Sequence, residues 1–353
     1  MKLIVRLPNW IGDVCMALPA LQALDAAGAR LHLIGKRWAA DLLAAHHWPF
    51  TPRPQSLMAG AALLRSLPAD SPSNGARPDD SRLKDSLPTD ALCNAARSIH
   101  SSRRGLLLTN SLSSAAAFRF AGIAALGHRG DGRSLLLGRS LPRPTGLHEV
   151  EVFWRLASKA ADWIGLPALP GHAPTLLGLQ LTPEHQASAL AALRQAGIQG
   201  PPNRFIVLGP LSVGTTGGQS KRWSGFAELA SQLSDRGIAT LTCPGPGEEA
   251  QAMAAAPSAI ALPGLGLGAY AALCRLAGLT VANDSGPMHL AAAVDAPVIG
   301  IFGPSSPART RPWGAQSTWL GGDGVWPDLA TVMAQVDRRM LSSDPGETGC
   351  GRK

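Results

Sequence analysis

A polar cluster separates two apolar runs in the last third of the sequence. The segment NDSGPMH lies between LAGLTVA and AAAVDAPVIGIF and contains Asn283, Asp284, Ser285, Gly286 and His289. LTVA is typical of a buried strand and MHLAAAVD of a helix, which makes NDSGPMH the loop at the strand's carboxyl end. Ligands of open α/β sheets bind at that edge, where helix N-termini attract phosphate. Asp284 or Ser285 could instead only cap the helix, but one cap needs one side chain.

A second candidate loop, GPLSVGTTGGQSKRW, follows the predicted strand RFIVLG. Gly209 and Gly214 have the spacing of a phosphate-binding loop, but Thr215 and Thr216 stand where that signature needs lysine and serine. The segment is therefore not a P-loop. Its hydroxyls, its free amides and Lys221 still suit a diphosphate held without metal in a flexible segment. The alternative is a surface loop with solvated charges.

A third candidate, PNWIGDV, ends the first predicted strand, KLIVRL. Asp13 falls at the start of the following helix, where the helix dipole stabilises a carboxylate and is expected to lower its pKa. Asp13 is thus either a capping residue or a base directed into a cleft. Trp10 is either a hydrophobic staple or a stacking surface for a sugar. The sequence has no carboxylate pair at glycosidase spacing, no G-x-S-x-G and no histidine-rich metal set.

The order of the apolar runs predicts two α/β halves. Strand and helix patterns alternate before a Pro- and Gly-rich stretch near residue 170 and resume after it, which indicates two facing Rossmann-like domains with parallel sheets. Pro19 should kink the first helix or delay its start. Residues 52–104 lack periodicity and are predicted to form a flexible insert. The predicted boundaries are 1–168 for the first domain with an insert at 68–86, 169–180 for a linker, 181–330 for the second domain and 331–353 for a helix and tail.

Composition favours an anionic partner. The 353 residues carry a formal charge of +8 and a pI of about 9.8. Aromatic residues make up only 5% and the arginines are dispersed, which argues against nucleic acid. Five scattered cysteines without a CxxC motif indicate reduced thiols. Arg6 and Pro8 interrupt the N-terminal apolar run, and no run reaches the ~18 residues of a membrane span, so we expect any membrane contact to be peripheral.

Three segments together resemble a known family, the ADP-heptose:lipopolysaccharide heptosyltransferases, closest to the heptosyltransferase II branch. They are PNWIGDVCMALPALQAL, TNSLSSAAAFRFAGI, and SKRW with NDSGPMHLAAAVDAPVIGIFGPSSPARTRPWG. The resemblance covers most of the chain outside residues 52–104. It implies a GT-B fold and an inverting, metal-independent transfer of heptose from ADP-heptose to the lipopolysaccharide inner core. It also implies a cytoplasmic protein at the inner face of the inner membrane, with no cofactor, since the ADP-sugar is a substrate.

The resemblance assigns roles to residues of this sequence. The catalytic base falls on Asp13, and the ribose-binding acid falls on Glu248, with Glu249 or Gly247 as alternatives. The remaining donor-side positions are Thr215, Thr216, Lys221, Asp284, Ser285, Gly286 and His289. The acceptor-side positions are Asn9, Trp10, Asn110 and Ser111.

The chain also departs from the family pattern. Ser113 replaces the lysine of an N-S-L-K-S motif, Gly266 replaces a small hydroxyl residue in the adenine-side loop, and the 52–104 stretch is longer than usual. Two further hypotheses follow. A non-catalytic nucleotide-sugar or phosphoglycan-binding protein on the same fold would keep the NDSGPMH loop, whereas Asp13 favours an enzyme. A transferase for another ADP-sugar would have the same motifs.

Overall fold

The computed structural model describes residues 1–68, 103–198 and 204–341. It contains two six-stranded parallel sheets and one small hairpin. The strands of the first sheet are β1 (Lys2–Arg6), β2 (Arg30–Gly35), β3 (Phe50–Pro52), β4 (Arg104–Leu107), β5 (Ala124–His128) and β6 (Arg139–Leu141). Those of the second sheet are β7 (Phe205–Gly209), β10 (Ala239–Thr242), β11 (Ile260–Ala261), β12 (Leu279–Asn283), β13 (Val298–Phe302) and β14 (Ser317–Gly321), and the hairpin is β8 (Thr215–Thr216) and β9 (Gln219–Ser220).

Helices cover both faces of each sheet. In the first half they are α1 (Ile11–Ala26), α2 (Trp38–Leu42), α3 (Leu57–Ser66), α4 (Leu112–Phe120) and α5 (Glu149–Trp163), with 3₁₀ turns at Ala44–His46 and Arg133–Leu135. In the second half they are α6 (Pro183–Gln195), α7 (Phe226–Asp235), α8 (Glu249–Ala255), α9 (Leu267–Leu276), α10 (Gly286–Ala293), α11 (Pro307–Thr310) and α12 (Leu329–Leu341).

Alternate residues of the central strands face different cores. Leu3 and Val5 of β1 and Val207 of β7 belong to one apolar core that runs through both halves. The opposite faces carry Ile4, which packs against the α3–α4 side, and Ile206, which packs against the α7–α12 side. Because both faces are buried, these strands read as unbroken apolar runs.

The two sheets share one topology, in which the strand order reverses at a central pair. The orders are β3-β2-β1-β4-β5-β6 and β11-β10-β7-β12-β13-β14. Arg6 is in register with Leu107, and Gly209 with Ala282, so each central pair ends level at its carboxyl end. The chain leaves these ends in opposite directions and opens a crevice there. The predicted site loops follow β1, β4, β7 and β12.

One sequence prediction about the elements is wrong, and one alternative of another is excluded. The 52–104 stretch is not irregular throughout: α3 lies within it, its N-terminus capped by Ser56 Oγ, which accepts the Ala59 N–H at 3.2 Å. Ala61 and Leu64 anchor this helix in the core, a contact that the short apolar pattern did not reveal. The predicted insert at 68–86 lies outside the described residues except for Pro68. Helix α1 begins at Ile11 and continues through the buried Pro19, so a delayed start is excluded.

The domain boundaries remain predictions. Residues 169–180 contain no helix or strand and contact both halves. Gln22 of α1 donates to the Gly178 carbonyl at 2.6 Å, and the Leu179 N–H donates to the Ala293 carbonyl at 2.9 Å. The C-terminal helix begins at Leu329, two residues before the predicted boundary. Across the three described ranges, no helix has the length and apolar character to cross a membrane.

Candidate active site

A cleft of about 520 Å³ lies between the two halves, at the carboxyl ends of both sheets. It is lined by all the residues assigned to catalysis and donor binding: Asp13, Thr215, Thr216, Lys221, Glu248, Asp284, Ser285, Gly286 and His289. Asn9 and Trp10 line it as well, and Asn110 lines an adjoining pocket of about 220 Å³. Ser111 lines neither, because its hydroxyl caps α4 by accepting the Ser114 N–H.

The N-terminus of α10 faces this cleft without a side-chain cap. Ser285 occupies the N-cap position, but its hydroxyl donates to the Asn283 carbonyl at 3.2 Å and does not accept a helix N–H. The Asp284 carboxylate instead binds Lys221. Neither residue is explained by capping alone. Because the first N–H groups of a helix need acceptors, this end of α10 is suited to an anionic ligand.

Asn283 anchors the loops around this helix end. Its Nδ2 donates to the Pro210 carbonyl at 2.7 Å, and its Oδ1 accepts the Trp223 N–H at 3.0 Å. The fully buried side chain therefore joins the loops that follow β7 and β9 to the end of β12. Asn283 was singled out in the sequence as part of the polar cluster, and its contacts are structural.

Lys221 and Asp284 form an ion pair inside the cleft. Lys221 Nζ donates to Asp284 Oδ2 and to the Asp284 carbonyl, each at 2.9 Å. Asp284 is buried, so this pair has little solvent screening. A diphosphate at Lys221 would share the ammonium group with the Asp284 carboxylate. Because that carboxylate already orients the ammonium group, the diphosphate would meet a positive charge in a fixed position.

The segment preceding Lys221 is more regular than predicted. Thr215 and Thr216 pair with Gln219 and Ser220 in an antiparallel hairpin, although the sequence predicted a flexible segment. Its turn consists of Gly217 and Gly218, both with positive φ, as a two-residue hairpin turn requires. The Gly-Gly pair between two polar dipeptides is the feature of the sequence that could have predicted this hairpin. The hairpin presents both threonines at the rim of the cleft.

Asp13 lies in the first turn of α1, but its pKa is raised to about 6 rather than lowered. Burial is the largest cause, and the nearby Glu149 and Asp284 carboxylates add to it. The guanidinium groups of Arg143 and Arg309 act in the opposite direction. The expected lowering by the helix dipole is therefore wrong, because the cost of desolvating a carboxylate exceeds the effect of a helix terminus.

His289 is buried against α1 of the other half. A Cβ atom on Gly12 would lie 2.4 Å from His289 Cδ2, so only glycine leaves room for the ring. Burial lowers the pKa of His289 to about 4 despite the neighbouring Asp284, and the ring is neutral near pH 7. Its Nδ1 has no hydrogen-bond partner among the described residues.

The three predicted candidates for the ribose-binding acid differ in their position relative to the cleft. Glu248 lines the cleft, and its Oε2 accepts the Gly245 N–H at 3.0 Å. Glu249 begins α8 and Gly247 turns the chain with positive φ, and neither lines the cleft. The sequence did not identify part of the apolar lining of the cleft, which includes Met16, Trp38, Cys243, Pro244 and Tyr270. These residues look like ordinary core residues in the sequence.

A residue of the first half compensates for Gly266, which replaces the small hydroxyl residue of the family pattern. Gly266 is the N-cap of α9 and has no side chain to accept a helix N–H. Asp41 of α2 supplies that acceptor and binds the Gly268 N–H at 2.9 Å. It also lies 3.3 Å from His185 Nε2. A carboxylate from one half therefore caps a helix of the other half.

The adjoining pocket is lined by three of the four predicted acceptor-side residues, Asn9, Trp10 and Asn110. Trp10 is 58% exposed, and Lys36 Nζ lies 5.3 Å from the centre of its ring. An exposed ring fits a stacking surface better than a staple. Asn110 is held by Arg133, whose guanidinium donates to its Oδ1 and to the Thr109 carbonyl, each at 2.9 Å. This buried arginine supports the loop that carries Asn110.

Comparisons with known proteins agree with this geometry. A sequence model of glycosyltransferase family 9 (heptosyltransferase) matches residues 95–332. Lipopolysaccharide heptosyltransferase 1 of Pseudomonas aeruginosa is 34% identical over 110 residues, which cover 30% of this chain and 31% of that protein. The chain thus aligns with about a third of that relative's length.

Solved structures share the fold. The Escherichia coli ADP-heptose lipopolysaccharide heptosyltransferase II superposes with a TM-score of 0.70 at 23% identity, covering 97% of this chain and 99% of that one. The E. coli heptosyltransferase WaaC with ADP gives 0.65 at 20% identity, covering 96% and 100%. These matches confirm the GT-B arrangement of two Rossmann-like halves.

The raised pKa of Asp13 predicts a stability effect. The folded protein keeps a proton on Asp13 up to about pH 6, whereas the unfolded chain releases it near 3.8. The folded state binds more protons in this window, so the free energy of unfolding falls as pH rises from about 4 to 6 and does not recover above it. Asp13→Asn should therefore stabilise the protein at pH 8, by at most about 3 kcal/mol.

Urea unfolding of both proteins between pH 4.5 and 8 measures this. The difference should grow up to about pH 6 and then stay constant. Asp235→Asn, at an exposed position at the end of α7, is the control and should show no such growth. An Asp13→Asn variant no more stable than the parent at pH 8 would contradict the buried, destabilised carboxylate.

Proposed function

Because the chain belongs to glycosyltransferase family 9, the heptosyltransferases, we propose that it transfers heptose from ADP-heptose to the inner core of a lipopolysaccharide, with inversion and without metal. One observation carries the proposal. A carboxylate of the first half, Asp13, and an uncapped helix end with a lysine from the second half meet in one cleft. In this proposal the base and the site for the leaving diphosphate lie on opposite walls.

The second half would bind the donor. The uncapped N-terminus of α10, the hydroxyls of Thr215 and Thr216, and Lys221 would hold the diphosphate. Glu248 would accept hydrogen bonds from ribose hydroxyls, and the apolar side chains that line the cleft suit a flat base such as adenine. Asp284 and Ser285 would face the hydroxyls of the sugar, with Gly286 permitting close approach to the backbone.

The first half would supply the base. Asp13 is mostly ionised at pH 7.5, since its pKa is about 6, and it is more basic than an ordinary aspartate. A general base works best when its pKa lies near the operating pH. The acceptor oxygen would attack C1 while the bond from C1 to the phosphate oxygen breaks. The electron pair leaves with ADP, and the acceptor's proton passes to Asp13.

An anion pocket next to the cleft supports an acidic acceptor. It has a volume of about 70 Å³, is lined by Arg6, Arg53, Ser113 and the start of α3, and none of its described lining residues is acidic. Arg6 is buried, and desolvation together with repulsion from Arg53 lowers its pKa to about 10. Its guanidinium donates to Asn9 Oδ1 at 2.7 Å, which connects the pocket to the cleft. Ser113 stands where the family motif has a lysine, and the two arginines would supply the positive charge of that lysine.

The proposed acceptor is a glycolipid, so a cytoplasmic location with peripheral contact at the inner membrane forms part of the proposal. Met58 of α3 and Leu112 and Phe120 of α4 are exposed on the helix pair beside this pocket. Apolar side chains together with an excess of positive charge suit an anionic membrane surface.

Loss of the base is the main test of this function. Asp13→Asn should reduce transfer from ADP-heptose to a truncated core acceptor by about 10²–10⁴-fold. Donor affinity, measured by calorimetry, should stay within a few-fold because the other half binds the nucleotide. Asp235→Asn should behave like the parent protein. Near-normal transfer by a folded Asp13→Asn variant would refute the role of Asp13.

Chelation tests the charge scheme. EDTA should leave the transfer rate unchanged, because the α10 N-terminus and Lys221 supply the positive charge that stabilises departing ADP. The rate is measured with and without EDTA and again after adding Mg²⁺ or Mn²⁺. A rate that falls with EDTA and returns with either ion would contradict metal-independent transfer.

The anion pocket predicts a selective acceptor defect. Arg53→Gln should raise the KM for a phosphorylated acceptor by about ten-fold, the lower range for a hydrogen bond between charged groups, with kcat nearly unchanged. With an acceptor lacking phosphates and acidic sugars the effect should disappear. Arg119→Gln, at an exposed position on α4 outside the pocket, is the matched control. A raised KM for ADP-heptose instead would assign the pocket to the donor.

A further inference from the structure

A buried carboxylate beside the cleft binds one arginine from each half. Arg143 Nη2 donates to both oxygens of Glu149 at 2.6 Å, and Arg309 Nη2 donates to Glu149 Oε1 at 2.8 Å. The Glu149 side chain is only 5% exposed, whereas that of Arg309 is 64% exposed. Arg143 lies between β6 and α5 in the first half, and Arg309 lies on α11 in the second. We call these three residues the carboxylate bridge.

A neighbouring contact joins the same two segments. His148 caps α5, since its Nδ1 accepts the Val150 N–H at 3.2 Å, and this fixes the proton on Nε2. Nε2 then donates to the Arg311 carbonyl at 2.8 Å, and the ring packs against Trp313 at 4.7 Å. The N-terminus of α5 therefore holds residues 309–313 at two adjacent positions.

The carboxylate bridge borders the carboxyl group of Asp13. Asp13 and all three bridge residues line the 220 Å³ pocket. When Asp13 is ionised and the bridge is assembled, the charges of the Asp13 and Glu149 carboxylates and of the two arginines sum to zero. The other titratable groups near Asp13 are Cys15 on α1 itself, Asp284 and His289 at the start of α10, Lys221 after β9 and Lys36 after β2.

We propose that Glu149 is a positioning residue for transfer, which ties Arg309 of the second half to Arg143 of the first and sets the charge that Asp13 faces. The proposal rests on the proposed function, in which Asp13 is the base. Glu149 does not touch the reacting atoms. It acts by holding two cations at fixed places around Asp13 and by adding a negative charge of its own.

The proposal predicts that two variants shift the pH at which Asp13 ionises in opposite directions. Glu149→Gln removes a negative charge and leaves both arginines unneutralised, so Asp13 should ionise at lower pH. Arg309→Gln removes a positive charge and leaves Glu149 less neutralised, so Asp13 should ionise at higher pH. Charges within about 4–6 Å move a pKa by 1–3 units. We expect about one unit downward for Glu149→Gln and about half of that upward for the more exposed Arg309.

The test is the pH dependence of kcat/KM for transfer from pH 4.5 to 9 with the full chain. The acidic limb should lie near pH 6 in the parent protein, lower in Glu149→Gln and higher in Arg309→Gln. Glu228→Gln, on an exposed part of α7 and far from the bridge, is the control and should not move the limb. A merely structural tie would lower activity in both variants without moving the limb, and that result would overturn the proposal.

A second measurement separates this proposal from the proposed function. The ¹³C chemical shift of the Asp13 carboxyl carbon, assigned with Asp13→Asn, reports ionisation without catalysis. Opposite shifts of its titration midpoint support the carboxylate bridge even if Asp13→Asn retains activity and another base operates. An unchanged midpoint in both variants, or movement in the same direction, refutes the bridge even if Asp13 is the base. Should Glu149→Gln fail to fold, the Arg309→Gln variant, changed at an exposed position, still shows whether the titration midpoint of Asp13 moves upward as proposed.

Discussion

The contact between α1 and α10 is the interaction on which the site depends. Gly12 admits the His289 ring, since a Cβ atom there would lie 2.4 Å from it. On the opposite side, a Cβ atom on Gly286 would lie 3.3 Å from Ile11. Two glycines in the first turns thus let two helices from different halves approach closely, with one apolar core running behind them. Both helix N-termini then border the same cleft, and the proposed base and the proposed diphosphate site become neighbours.

This close approach has an electrostatic cost. It buries Asp13 near Asp284 and Glu149, and the resulting pKa of about 6 means that ionised Asp13 is destabilised in the fold. Arg143 and Arg309 offset part of that cost but not all of it. A carboxylate kept basic in this way is useful to a transferase, since an ordinary aspartate accepts a proton poorly near neutral pH. Stability and reactivity are therefore opposed at this one side chain.

Contacts within the protein hold the proposed donor wall in place. Asn283 joins three loops, the Gly-Gly turn fixes the hairpin of Thr215 and Thr216, and Lys221 is already bound to Asp284. Groups positioned in advance stabilise developing charge without reorganisation during the reaction. The proposed acceptor wall comes from the other half, where the Trp10 ring is exposed. The two substrates thus meet groups whose positions relative to each other are set by the contacts between the halves.

The sequence by itself determined the order of elements and the loops that carry chemistry, because apolar periodicity and the residues at strand ends act locally along the chain. It therefore predicted the cluster at Asp284, the threonines before Lys221 and the position of Asp13 at a helix start. Only the tertiary structure decided the environment of these groups. Burial, and after it Glu149, raises the pKa of Asp13, Asp41 caps α9 of the other half, and α3 is fixed by core contacts. Burial and Coulomb energies depend on distances in space, which a local sequence pattern does not contain.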